Sequence, residues 1–259
     1  MRTSAAKRAT RTERGEGGPP LVYAHRGGAA LRPENTIAAF DHGLACGADG
    51  LEFDVHLARD GVVVIHHDET LDRTTTGRGR VADRTAAELE AFDVPALADV
   101  LGRYPDVPLI IELKGDSSEL ARRVVDLLRA AHAVERTALG CFYYGPLNTA
   151  RAYEPALRTG ASREETRWAL YRSWIGWPLG ATAYHELQVP ERSGLTKIVS
   201  PRFIRHAHKS RLPVKVWTVN DPDDMRRLVA WGVDALITDR PDLAVPIARA
   251  FRVTRSAVP

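Results

Sequence analysis

Residues 50–55 read Gly50-Leu51-Glu52-Phe53-Asp54-Val55, an apolar run in which a carboxylate occupies alternate positions. Side chains on a strand alternate between faces, so Glu52 and Asp54 share one side while Leu51, Phe53 and Val55 share the other. A run this apolar fits a strand covered on both faces, where a carboxylate is costly unless it is paired or holds a cation. A second such run is Pro108-Leu109-Ile110-Ile111-Glu112-Leu113, with Lys114 two residues beyond Glu112 on the same side. If the two strands point their C-terminal ends to one rim, three carboxylates and one ammonium converge there.

The flanking sequence supplies a frame for that rim. Leu21-Val22-Tyr23-Ala24 reads as a first strand, and Asn35 or Thr36 caps a helix that Gly47 stops. Strands over 50–55 and 62–66 are joined by a turn at Arg59-Asp60-Gly61. A short helix over 95–101 precedes the Glu112 strand; a helix carrying Leu120, Val124, Leu127 and Leu128 and a strand over 137–142 follow it. Between about 145 and 198, Pro and Trp interrupt the pattern. Beyond it come a helix from Pro201, a strand over 213–219, a helix capped by Asp221 with Pro222 at its first position, and a strand over 235–238. This alternation, without a break or a repeat period, predicts one α/β domain. A closed (β/α)8 barrel of the TIM type takes about 250 residues, and the G-x-G-x-x-G turn of a doubly wound sheet is missing after the first strand. The expected organisation is a flexible basic segment over 1–20 and a single barrel domain over 21–259.

Composition excludes several classes. Of 259 residues, 44% are hydrophobic and 27% charged, the soluble globular average rather than that of a disordered polymer or a polytopic membrane protein. The formal charge of +3 sits at the start, where Arg2, Lys7, Arg8, Arg11 and Arg14 face Glu13 and Glu16. Taking these from 36 basic and 33 acidic residues leaves 31 of each, so no nucleic-acid partner is expected. Cys46 and Cys141 lie in apolar runs and read as free buried thiols. No apolar stretch of an export signal opens the chain, and no run reaches the roughly 18 apolar residues of a membrane span, which makes a cytoplasmic location the expectation.

Three hard oxygen donors without a thiolate suit Mg²⁺ or Ca²⁺ better than zinc; ion pairs with rim Arg and Lys are the alternative reading. His56 continues the same face, but the turn after it favours a rim hydrogen bond over a fourth ligand. His25 ends the first apolar run and is followed by Arg26; His66-His67-Asp68 ends the third. Periodicity leaves open which of His66 and His67 faces the rim. Imidazoles both remove and deliver protons, as hydrolysis of a phosphate diester requires at its attacking and leaving oxygens. Arg26 and Lys114 are charge-assisted donors for phosphoryl oxygens.

In order along the chain stand Ala24-His25-Arg26-Gly27, Pro33-Glu34-Asn35-Thr36, residues 47–55, Asp60-Gly61 with His67-Asp68, and residues 71–79. Ile111-Glu112-Leu113-Lys114, Val216-Trp217-Thr218-Val219-Asn220 and Ile237-Thr238-Asp239-Arg240-Pro241 follow. Over about residues 21–245 this series resembles the glycerophosphodiester phosphodiesterase family of phospholipase-C-like barrels. The resemblance implies that His25 and His67 are the acid/base pair, which selects His67 over His66. It implies that Glu52, Asp54 and Glu112 hold the divalent ion and that Arg26 and Lys114 contact phosphate. The implied reaction is attack of a glycerol 2-hydroxyl on phosphorus, giving a cyclic phosphate that water opens to glycerol 3-phosphate. Two stretches depart from the family pattern: His56-Leu57-Ala58-Arg59, where Thr is usual before the Asp-Gly turn, and Cys141-Phe142, where Ser-Phe is common.

The segment between His67 and Glu112 reads as the family's small insertion, a lid rather than a domain. Trp217 is either a wall of the glycerol pocket or strand packing, and Asn220 and Asp239 read as rim caps. Trp168, Tyr171, Trp174, Trp177 and Tyr184 read as packing against the barrel, with a transient membrane-surface contact as the alternative. Rival activities on the same site are lysophospholipase D or sphingomyelinase-D-like cleavage; a non-catalytic binding barrel is the rival from another class.

Overall fold

The computed structural model describes residues 18–250, so most of the basic segment 1–20 and the tail 251–259 lie outside the described residues. Strands and helices alternate from the start: β1 (Leu21–His25), α1 (Ile37–Ala45), β2 (Gly50–Leu57), β3 (Val63–Ile65), α2 (Ala86–Glu90), α3 (Leu97–Arg103), β4 (Leu109–Leu113), α4 (Ser118–Ala130), β5 (Thr137–Gly140) and α5 (Tyr144–Tyr153). The second half holds β6 (Arg158–Thr159), α6 (Arg163–Ile175), β7 (Leu187–Pro190), the hairpin β8 (Arg192–Ser193) and β9 (Thr196–Lys197), α7 (Pro201–Lys209), β10 (Val214–Trp217), α8 (Pro222–Trp231), β11 (Ala235–Thr238) and α9 (Pro241–Ala250).

Eight of these strands run parallel in the order β6-β5-β4-β2-β1-β11-β10-β7. The two ends meet where Gly160 pairs with Glu186 in parallel. There the Ala161 N–H donates to the Glu186 carbonyl at 3.0 Å and the His185 N–H to the Thr159 carbonyl at 2.9 Å. That closure makes the fold the expected (β/α)8 barrel. β6 and β7 are two and four residues long, too short to leave a periodic trace in the sequence.

β2 shows how the fold sorts its residues. Leu51, Phe53 and Val55 are buried in the layer between sheet and helices, where Phe53 meets Phe40 of α1 at a ring distance of 5.4 Å. Each such side chain contributes about 1.5–3 kcal/mol relative to exposure. Glu52 and Asp54, on the opposite face, are left to the barrel interior. β1 is locked to α1 by Gly27, whose φ of +86° suits glycine and whose missing Cβ would lie 2.7 Å from Ala39. Thr36 is the N-cap of α1, accepting from the Ala39 N–H, which frees Asn35 to turn inward.

The strands expected over 50–55 and 62–66 form as a turn-linked pair: Asp60-Gly61 folds β3 back antiparallel onto β2, so β3 stands off the parallel barrel. β3 opens a small insertion with its own apolar cluster of Ala58, Val64, Leu71, Val81, Leu89 and Val94. α2 within it is fixed by a capping box between Thr85 and Glu88.

Candidate active site

Parallel register sets the level of each polar side chain. His25 lies beside Glu52 across β1 and β2, and Asp54 beside Glu112 across β2 and β4. All four sit toward the C-terminal mouth of the barrel, where one oxygen from each of Glu52, Asp54 and Glu112 lies within 4.8 Å of the others. Glu52 and Asp54 are buried; the Glu112 side chain is 20% exposed.

The three acids are not equally compensated. Lys114 Nζ donates to Asp54 Oδ1 at 2.8 Å and to Glu112 Oε1 at 2.6 Å. Arg26 Nε lies at ion-pair distance, 3.3 Å, from Asp54 Oδ2, and Asn35 Nδ2 donates to the same oxygen at 3.0 Å. Burial would raise the Asp54 carboxyl, but Lys114 and Arg26 hold it below the ordinary range. Among the described residues, the Glu52 carboxylate meets the Arg26 backbone N–H at 3.3 Å and His25 Nε2 at 3.8 Å. Burial, opposed by His25 and reinforced by Asp54 and Glu112, pushes its carboxyl up to about 8. A cluster of hard oxygens short of positive charge, with no thiolate or imidazole in the set, fits a hard divalent cation.

Both imidazoles are oriented by carboxylates. His25 Nδ1 is 2.6 Å from Asp239 Oδ1, and Asp239 is itself held by Asn220 Nδ2 at 2.7 Å. Burial disfavours the His25 imidazolium, yet Glu52 and the Asp239 hydrogen bond outweigh it and raise the pKa. His67 Nδ1 is 2.6 Å from Asp68 Oδ1. A cavity of about 90 Å³ is lined by His25, Arg26, Glu52, Asp54, His67, Glu112 and Lys114 together with Trp217. His66 faces away, buried with Nε2 donating to the Thr70 carbonyl at 3.1 Å. His56 stays out of the acid cluster and donates to the His67 carbonyl at 3.1 Å. Trp217 stands edge-on to Phe142 at 5.9 Å; with Glu112 they also line an adjoining cavity of about 750 Å³.

The sequence model of the glycerophosphoryl diester phosphodiesterase family matches residues 25–243, a span that takes in every residue just placed around the cavity. The chain belongs to this family. A glycerophosphodiester phosphodiesterase of Caldanaerobacter subterraneus subsp. tengcongensis is 30% identical over 250 residues, covering 88% of this chain and 98% of that one. A crystal structure of a glycerophosphoryl diester phosphodiesterase from Silicibacter pomeroyi superposes with a TM-score of 0.77 at 24% identity, covering 92% and 95% of the two chains, which supports the fold. An Oleispira antarctica phosphodiesterase, solved in complex with the product sn-glycerol-3-phosphate, matches at a TM-score of 0.71 and 25% identity over 88% and 96%. As a member of this phosphodiesterase family, the protein is an enzyme, a phosphoric diester hydrolase.

Several residues around this phosphodiesterase's cavity had no single-residue signal in the sequence. Asp239, read there as a rim cap, is the carboxylate that orients His25 from 214 positions away. Arg73 donates to Asp68 at 2.6 Å and to Glu34 at 2.7 Å, and Glu34 accepts from Arg26 at 2.9 Å. An alternating chain of charge therefore runs Asp54–Arg26–Glu34–Arg73–Asp68, and Asp68 meets the His67 ring. The Arg73 guanidinium holds the Asp68 carboxyl far below the usual carboxylate range. Trp168, Tyr171, Trp174 and Trp177 depart from the packing expected of them: all four are exposed, and of the five aromatics only Tyr184 is buried.

Proposed function

We propose that the enzyme hydrolyses glycerophosphodiesters, such as glycerophosphocholine or glycerophosphoethanolamine, to sn-glycerol 3-phosphate and an alcohol. The observation that carries this reading is the convergence of two carboxylate-oriented imidazoles on one cavity with the Glu52, Asp54 and Glu112 cluster. The product complex of the Oleispira antarctica relative supports the substrate class.

In each ring Nδ1 faces a carboxylate, which places the proton there and leaves Nε2 for chemistry. His67 Nε2 takes the proton of the glycerol 2-hydroxyl as its oxygen attacks phosphorus. His25, flanked by Glu52 and Asp239, delivers a proton to the alcohol oxygen as the P–O bond breaks. The result is a 2,3-cyclic phosphate and the free alcohol. Water then opens the ring with the roles exchanged: His25 accepts the proton of water and His67 returns one to the glycerol 2-oxygen. A nucleophile carried by the substrate is already in place. Arg26 and Lys114 bind the phosphoryl oxygens, and Trp217 walls the glycerol. Mg²⁺ or Ca²⁺, held by Glu52, Asp54 and Glu112, would neutralise charge and acidify a hydroxyl there.

Coupled detection of sn-glycerol 3-phosphate against a panel of diesters tests the reading. His25→Ala and His67→Ala should each lower turnover by about 10²–10⁴-fold, the range for lost acid–base catalysis, with the fold intact by circular dichroism. His66→Ala should stay within a few-fold; a His66 variant as inactive as the other two would overturn the assignment.

A further inference from the structure

α6 carries a surface that the hydrolysis does not use. It turns Trp168, Tyr171 and Trp174 outward at 66%, 45% and 49% exposure, and Ile175 and Trp177 follow at 75% and 64%. The rings touch in series, Trp168 to Tyr171 at 6.3 Å and Tyr171 to Trp174 at 5.4 Å, so the patch is continuous. A contiguous exposed aromatic surface of this kind marks an interaction site. The β8–β9 hairpin forms a facing wall, with Leu195 at its tip 97% exposed. Between the walls lies the cavity of about 750 Å³, lined by Tyr171 and Trp174 of α6, by Leu170 and Ile198, and at the catalytic rim by Glu112 and Trp217.

Charge narrows what this surface meets. Residues 162–177 and 191–205 hold seven basic and three acidic side chains. Two of those acids are taken up by arginines from elsewhere, Glu165 by Arg151 and Glu191 by Arg227. A second copy of the chain docking about a two-fold axis would press one net-positive face against another. Trp and Tyr rings interleaved with arginine instead match the headgroup level of an anionic phospholipid surface.

We propose that the α6 face seats on an anionic phospholipid surface and that the cavity at its edge takes the acyl chain of a monoacyl glycerophosphodiester drawn from it. The substrate half rests on the diester-hydrolase reading above; the docking half stands apart from it. With the glycerophosphate at the carboxylate cluster, a chain on the glycerol passes Trp217 and Phe142 and meets Leu170, Ile198 and Tyr171, the apolar lining of the cavity.

Flotation with phosphatidylcholine vesicles containing one-quarter phosphatidylglycerol, and with pure phosphatidylcholine vesicles, reads the docking. The comparison is between the full chain and a Trp168→Ser/Ile175→Ser/Trp177→Ser variant, whose three positions line neither cavity. The wild type should float with the anionic vesicles only, and the variant's bound fraction should fall about tenfold, as should the wild type's in high salt. On 1-acyl-glycerophosphoethanolamine in those vesicles the variant's kcat/KM should fall similarly, while its turnover of water-soluble glycerophosphoethanolamine stays within twofold. Equal flotation of the two proteins overturns the docking face, as does a concentration-dependent dimer that the variant abolishes. Failure of the wild type to cleave either diester overturns the hydrolase reading and leaves flotation to decide docking. Cleavage of the soluble diester with none of the monoacyl one overturns the chain-binding cavity.

Discussion

Glu52 and Glu186 are both enclosed carboxylates within one barrel, held in opposite ways. Glu186 is fully buried beside β10, where Lys215 Nζ lies 2.8 Å away and Gln188 Nε2 donates at 2.8 Å. Burial would raise its carboxyl, but the Lys215 charge and hydrogen bonds hold it below the ordinary range. Lys215 also lies over the Tyr23 ring at 5.0 Å. Glu52, at the barrel mouth, has two neighbouring acids and, among the described residues, no side-chain cation of its own within hydrogen-bond reach. The interior pair is already compensated, which is what a structural ion pair needs. The rim cluster gains most when something positive joins it.

Exchanging substitutions between the two clusters gives the largest expected effects. Glu186→Gln strands a buried ammonium and should cost about 3–5 kcal/mol in urea denaturation. Glu52→Gln removes repulsion, so metal-free stability should hold or rise while turnover is lost. Equal destabilisation by the two substitutions would erase the distinction between the clusters.

A divalent cation sharpens the contrast without any turnover measurement. At a concentration about a hundredfold above its Kd, Mg²⁺ or Ca²⁺ should stabilise the wild type by about 2.7 kcal/mol in a thermal melt. The shift should vanish in Glu112→Gln and persist in Glu186→Gln. A shift that survives Glu112→Gln would place the cation elsewhere.

The same contrast explains what the sequence discloses. Glu52, Asp54 and Glu112 stand out because a carboxylate inside an apolar run demands an explanation, and strand periodicity alone puts the first two on one face. Glu186 sits in the stretch where Pro and Trp break the pattern, and its partner Lys215 follows only from the order of β7 and β10 in the barrel. Asp239 reaches His25, and Arg73 reaches Glu34, through contacts between distant segments, which no local period encodes. α6 misleads because its aromatic positions, helically spaced like a core stripe, face outward.

The pH dependence of stability is the smallest effect and isolates the interior pair. The Glu186 carboxyl lies below its ordinary 4.5 in the fold, so its contribution is present above about that pH and is lost as pH falls through the folded value. The Lys215 ammonium is harder to deprotonate than its ordinary 10.5: burial opposes this, but Glu186 outweighs it. Its contribution is therefore present below that pH and is lost as pH rises through the folded value. Wild-type stability should carry an acid limb and an alkaline limb from these groups, each up to about 1.4 kcal/mol per pH unit. Other carboxylates titrate too, Asp68 beside Arg73 among them, so the measurement is a difference against Glu186→Leu/Lys215→Met. Replacing both members of a buried pair changes stability little at neutral pH, because the ions' desolvation is removed together with their attraction. Wild-type stability minus that of the double variant, from urea denaturation, should be flat between about pH 5 and 10 and fall on both sides, because only the wild type has the pair's contribution to lose. Identical limbs in the two proteins would mean that Glu186 and Lys215 are not the pair whose charge the interior depends on.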